Sequence, residues 1–261
     1  MKKLRVVIKV GTSTLAYGTG RMNIRHVEQL VKVLSDLKNA GHQVILVSSG
    51  AIGMGVGKLK LAKRPEDVPT KQAAAAVGQC ELMYTYDKLF SEYNHTVAQI
   101  LLGAEDVQDE VRRNHVENTL FRLLELDALP IVNENDTVAT EELGIGDNDT
   151  LAAIVAVTAR ADLLVLLTDI DGLYTCDPHT DPGACRIPRV EAITPEILAL
   201  GGSAGSGLGT GGMATKLAAA QRATAAGVDM VIANGQDPAV LYDIIEGKGV
   251  GTLFAGRRDE A

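Results

Sequence analysis

Two lysines near opposite ends of this chain stand where cations are not expected. Lys9 interrupts the apolar run "RVVIKV" (5–10), and Gly11-Thr12-Ser13 follows at once with open backbone N–H groups and hydroxyls. Lys216 falls in the first turn of a helical stretch, directly after "GTGGMAT". The helix dipole disfavours a cation there, whereas helix N-termini bind anions readily. The stretch "GTGGMATKL" (209–217) is not a P-loop, G-x-x-x-x-G-K-[ST], because Thr215 precedes Lys216 and Leu217 follows it. Between the two lysines, "GDNDT" (146–150) opens a helix. One aspartate suffices to cap a helix, so Asp149 is surplus and could orient lysines or reach a magnesium ion through water. In "VSSGAIGMGVG" (47–57), Ser49-Gly50-Ala51 can present consecutive N–H groups to an anion, and Gly53, Gly55 and Gly57 would permit close approach. Each feature also has an ordinary reading: a lysine stem packed with its amine in water, a helix cap, a tight turn.

Two lysines, two Gly-rich turns and a carboxylate suit phosphoryl transfer, in which positioning and electrostatics do nearly all the work. No histidine among His26, His42, His95, His115 and His179 falls in these clusters. A hydroxyl acceptor usually needs a general base. A carboxylate acceptor, with a pKa of roughly 4, is already ionised at neutral pH. The set therefore points to a kinase acting on a carboxylate.

The elements that must position these residues alternate along the chain. Strands are expected at 5–10, 43–49, 95–102, 128–133, 162–169, 228–234 and 251–254. Helices are expected at 23–41, 71–93, 115–127, 147–160, 211–227 and 238–247, from apolar residues at helical spacing and from caps such as Asn23. The stretch 170–193 reads as hairpins or an insertion, and 201–212 as a Gly/Ser linker or a loop that closes over a ligand. Alternation of this kind predicts an α/β fold, a three-layer αβα sandwich around a mostly parallel sheet. Ligands of such sheets bind beyond the carboxyl ends of the strands. Those ends carry Lys9 to Thr14, Ser48 to Gly53, Asn133 to Thr137, and Thr168-Asp169.

Composition agrees. The 261 residues are 46% hydrophobic and only 3% aromatic, without Trp, which suits a Val/Leu/Ile/Ala core under helices. A formal charge of −8 argues against non-specific binding to nucleic acid or anionic membranes. Cys80, Cys176 and Cys185 form no C-x-x-C pair, so neither a disulfide framework nor a zinc site is signalled, and a cytoplasmic compartment fits. No apolar run is long enough to span a membrane. "MKKLRVVIKVG" starts like a signal peptide, but Lys9 ends its apolar run early and no small-residue cleavage site follows.

On "VIKVGTSTL", "LVSSGAIGMG", "PIVNENDTVAT", "GDNDTLAA", "LLTDIDGLYTCDP" and "SGLGTGGMATK", the chain resembles the amino acid kinase superfamily and, within it, the glutamate 5-kinase family. The resemblance implies ATP-dependent phosphorylation of the γ-carboxylate of L-glutamate, the first step of proline biosynthesis. It implies ATP and Mg2+, the metal being held through phosphates and not by direct protein ligands. Lys9 and Lys216 would act on the transferring phosphate, with Asp149 holding them. Ser49, Gly50, Ala51, Asp136 and Asn148 would bind glutamate. Lys9, Gly11, Ser13, Thr168, Asp169 and Thr210-Gly211-Gly212-Met213-Ala214-Thr215-Lys216 would line the ATP site. A single kinase domain (1–261) is implied, with a substrate part at 1–160 and a nucleotide part at 161–261. The PUA domain that many members carry would be absent. A cytoplasmic homodimer or homotetramer, with possible proline feedback inhibition, is further implied. An acetylglutamate or uridylate kinase-like enzyme and a non-catalytic amino acid sensor are the alternatives.

Overall fold

The protein was analysed as a computed structural model that describes residues 2–19, 21–139, 145–178, 180–202 and 212–257. Along the chain run β1 (Arg5–Val10), α1 (Thr12–Leu15), α2 (Ile24–Asn39), β2 (Gln43–Ser48), α3 (Ala51–Lys58), α4 (Val68–Ser91) and β3 (Val97–Leu102). Next come α5 (Ala104–Gln108), α6 (Glu110–Glu125), β4 (Leu129–Glu134), α7 (Asn148–Thr158), β5 (Leu163–Thr168), β6 (Leu173–Tyr174), β7 (Arg186–Ile187) and β8 (Arg189–Val190). The last are α8 (Pro195–Ala199), α9 (Met213–Ala225), β9 (Asp229–Asn234), α10 (Val240–Ile245) and β10 (Thr252–Phe254). Eight strands form one sheet in the order β3-β4-β2-β1-β5-β9-β10-β8, parallel except where β10 meets β9. The strands are short and Val/Leu/Ile-rich because both faces are covered.

Alternation along β1 decides the geometry of the site. Val6, Ile8 and Val10 face a core shared with α2, α4 and α10. Val7 faces the opposite core, built with α6, α7 and α9. A period of two puts Lys9 on the same side as Val7, under α7 and α9. Those helices carry matching small-residue stripes: Ala152, Ala153 and Ala156 on one, Ala219, Ala220 and Ala223 on the other, all buried. Asp149 and Lys216 stand one turn upstream on the same stripes, so helical periodicity aims both at Lys9. Register aligns the carboxyl ends, with Val10 beside Ser48 and Leu167.

Several boundaries differ from the sequence expectations. α4 starts at residue 68 because Asp67 accepts the Thr70 N–H at 2.9 Å and a proline lies in the first turn. α6 starts at Glu110, five residues early, since Asp109 caps a polar turn that has no apolar period. Within 170–193, β6 and β7 pair antiparallel, while β8 joins the main sheet.

The largest correction concerns the glycines after Ser49. They do not form an open ligand loop; they lie inside α3. A Cβ on Gly55 would sit 1.8 Å from the Ala74 carbonyl oxygen, and one on Gly78 would sit 1.7 Å from that of Ala51. The close approach is between α3 and α4. Gly78→Ala is expected to overpack this contact and lower stability by about 1–3 kcal/mol. Gly53→Ala, whose Cβ would meet only the Thr12 methyl at 3.6 Å, should be neutral or gain up to about 1 kcal/mol. Urea unfolding of both variants checks this; an unchanged midpoint for Gly78→Ala would contradict it.

Candidate active site

Lys9, Asp149 and Lys216 converge on one buried ion cluster. The Lys9 Nζ lies 2.6 Å from Asp149 Oδ1, and the Lys216 Nζ lies 3.1 Å from Oδ2. The Thr215 hydroxyl donates to Oδ2 as well, at 3.1 Å. The side chains of Lys9, Asp149 and Lys216 are 12%, 2% and 8% exposed. Burial alone would raise the Asp149 pKa, but the two ammonium groups outweigh it and hold the carboxyl below its ordinary value. One carboxylate thus holds two lysine side chains, under little water. Asp147, not Asp149, caps α7, accepting the Thr150 N–H at 2.8 Å. With Lys9 on one oxygen and Lys216 and Thr215 on the other, Asp149 is placed to hold both lysines.

The helix caps mark out the same region. α2, α4, α6 and α7 open on Asn23, Asp67, Asp109 and Asp147, each accepting an N–H of its helix. α3 and α9 open on Gly50 and Gly212, with no side-chain cap. A helix start leaves several N–H groups unsatisfied, and such groups suit an anion.

A cavity of about 240 Å³ lies beside the cluster, lined by Lys9, Gly11, Thr12, Ser49 to Gly53, Arg64, Asn133, Glu134, Asp136 and Gly146 to Asp149. An amide chain sets its polarity. The Glu134 N–H donates to Asn133 Oδ1 at 2.9 Å, which fixes that amide's orientation. Asn133 Nδ2 then donates to Gln79 Oε1 at 3.0 Å. Asn148 must present its Nδ2 to Asn133 Oδ1 at 3.2 Å, and it donates to Ser49 Oγ at 2.6 Å. Ser49 thus accepts from Asn148 and keeps its own proton for a ligand. At the acidic end, burial first and then the neighbouring Glu134 push the Asp136 pKa up to about 6, with Arg64 opposing. Burial also raises Glu134, whose carboxylate accepts the Ile145 N–H at 2.7 Å.

The site residues read from sequence thus fall in two groups. Lys9, Gly11, Ser49, Gly50, Ala51, Asp136, Asn148 and Asp149 line the cavity. Gly212, Met213, Ala214, Thr215 and Lys216 form the start of α9, and Thr168 and Asp169 the end of β5, where the Thr168 hydroxyl donates to Asp169 at 2.9 Å. Ser13 is exposed on α1 and does not line the cavity. Thr210 and Gly211 lie outside the described residues. Thr12, read with Gly11 and Ser13 as a source of N–H groups and hydroxyls, also lines the cavity; sequence reasoning gave no role to Arg64, Asn133 or Glu134. Asn133 and Glu134 stood in a strand-end cluster; Arg64, between a lysine and a proline in a polar connection, carried no signal.

Two outcomes are expected from this geometry. Asp149→Asn leaves two buried ammonium groups without their carboxylate and should cost about 3–5 kcal/mol in denaturant unfolding, partly recovered by sulfate; an unchanged midpoint would count against the cluster. Asp136 has a folded pKa above its unfolded value, so its contribution to stability falls as pH rises from about 4 to about 6. Asp136→Asn removes that loss. Relative to the parent, its thermal midpoint should be higher at pH 8 and its advantage should vanish near pH 4.

Comparison with known proteins agrees with the fold. The family model described as "Amino acid kinase family" matches residues 4–234. The chain is 55% identical over 249 residues to a glutamate 5-kinase of Clostridium tetani, covering 95% of this chain and 93% of that protein. It is 51% identical over 260 residues to one of Clostridium perfringens, covering 98% and 97%. Among solved structures, the carbamate kinase from Giardia lamblia bound to AMP-PNP superposes with a TM-score of 0.71 at 18% identity, covering 98% of this chain and 99% of that one. The buried lysine pair, the uncapped helix starts and these likenesses agree: the chain belongs to the amino acid kinase family.

Proposed function

We propose that this protein is an ATP-dependent kinase of the L-glutamate γ-carboxylate, forming L-glutamyl 5-phosphate, the first step of proline biosynthesis. The observation that carries the reading is the Lys9–Asp149–Lys216 cluster, in which one buried carboxylate holds two lysines beside the cavity. A γ-carboxylate oxygen attacks the γ-phosphorus of ATP; the bond to the bridging oxygen breaks and ADP leaves. No proton has to be removed from the acceptor, so the site needs no general base. Lys9 and Lys216 stabilise the charge on the transferring group from two sides, and Asp149 keeps both in place. The N–H groups at the starts of α3 and α9 supply further donors. Ser49, Gly50, Ala51, Asn148 and Asp136 hold glutamate, Asp136 taking its ammonium. Gly11, Ser13, Thr168, Asp169 and the segment from Thr210 to Lys216 serve ATP. Mg2+, when bound with ATP, would supply charge neutralisation at the phosphate oxygens and would be held through them, without direct protein ligands.

The cavity is lined entirely by residues between Lys9 and Asp149, which supports a substrate part at 1–160 and a nucleotide part at 161–261 of one domain. No described helix is long and apolar enough to cross a membrane. Three exposed free cysteines suit a reducing cytoplasm. A homodimer or homotetramer, with proline as a feedback inhibitor, completes the proposal; exposed Tyr84 and Tyr93 offer apolar surface for self-contact.

An N-acetylated amino acid or a nucleotide acceptor would bring no ammonium to Asp136. ADP release with glutamate, aspartate, N-acetylglutamate and UMP in parallel is therefore expected to respond to glutamate alone; silence with glutamate would overturn the reading. Because Asp136 must be ionised to meet an ammonium, kcat/KM for glutamate should fall about tenfold per pH unit below its pKa of about 6. A flat profile from pH 5 to 8 would contradict that role.

A further inference from the structure

Glutamate brings three charged groups to a pocket, and the roles above serve two. The γ-carboxylate belongs at the Lys9 end and the ammonium at Asp136. The α-carboxylate needs a cation of its own. Among the described residues, Lys9 and Arg64 are the cations lining the cavity. Lys9 is held on Asp149 at 2.6 Å. The start of α3 lies at the Lys9 side of the cavity, since a Cβ on Gly50 would find Thr12, beside Gly11, as its nearest neighbour at 3.8 Å. At the other end Glu134, Asp136 and Asp147 gather three acids, and Arg64 is the cation facing them.

Arg64 is an exposed residue of the connection between α3 and α4, and it lines the cavity. The link between α3 and α4 is tied at its start by Leu59 and Leu61 N–H bonds to Gly55 and Val56, at 2.8 and 3.0 Å. It is tied at its end by the Asp67 cap on Thr70. The two helices are locked together at Gly55 and Gly78. Yet no hydrogen bond or ion pair among the described residues engages the guanidinium, although acids line the same cavity. A planar fork of donors in a cavity wall, unpaired, matches a carboxylate bidentately.

We propose that Arg64 receives the α-carboxylate of the substrate while Asp136 takes its ammonium, so that the pocket selects a free amino acid by reading both groups at once. This rests on the reading of the site as a glutamate kinase, and it makes Arg64 a specificity-determining residue. The test compares glutamate with its α-carboxamide in the parent enzyme, Arg64→Ala and Arg64→Lys. Losing a charge-assisted bond should cost roughly 10- to 100-fold in kcat/KM, so the parent should prefer glutamate over the amide by that factor. Arg64→Ala should lose a similar factor on glutamate, mainly through KM, and should hardly distinguish the two substrates. Arg64→Lys should recover part of the preference by keeping the charge without the fork. Active Arg64→Ala with undiminished preference for glutamate would overturn the assignment alone, as would a parent enzyme that uses the amide equally well. A parent enzyme that turns over neither compound would overturn the glutamate reading itself.

Discussion

A single carboxylate shared by two ammonium groups organises this protein. Taking three charges out of water is costly unless each is paired, and Asp149 pairs both lysines at once. The arrangement requires β1, α7 and α9 to meet at fixed distances. Alternation puts Lys9 on the helix side of the central strand, and alanine stripes let the two helices close over it. On the proposed reading, an anion entering here meets both lysines in low dielectric. Stability and chemistry therefore depend on the same contact.

Glycine does two separate jobs around this cluster. At Gly50 and Gly212 it begins a helix without a side-chain cap, where the proposed reading seats anionic groups. Gly50 also adopts φ +99, a conformation L side chains rarely take. At Gly55 and Gly78 it removes the Cβ atoms that would keep α3 and α4 apart. The second job supports the first, since the packed helix pair holds the uncapped α3 start and the Arg64 connection against the cavity.

Much of this was legible in the sequence, for identifiable reasons. Strand and helix alternation gave the layers, and the strand ends gave the edge where the cavity lies. Lys9 and Lys216 were visible because a cation inside an apolar strand, or in the first turn of a helix, needs an explanation. Asp149 was visible because Asp147 already suffices as a cap. The glycines of α3 were misread because a missing Cβ shows that something comes close without saying what. The start of α6 was missed because a polar first turn carries no apolar period. Arg64 and the orientation of the Asn133–Asn148 amide chain emerge only from tertiary contacts.

The account's central claim is that Lys9 and Lys216 act on the transferring phosphoryl group and not on glutamate binding. Steady-state kinetics of Lys9→Ala and Lys216→Ala, with glutamate varied at saturating ATP, test it directly. The account expects kcat to fall by about 10²- to 10³-fold in each, with the KM for glutamate changed only a few-fold. Variants that keep the parental kcat while the KM for glutamate rises would contradict it.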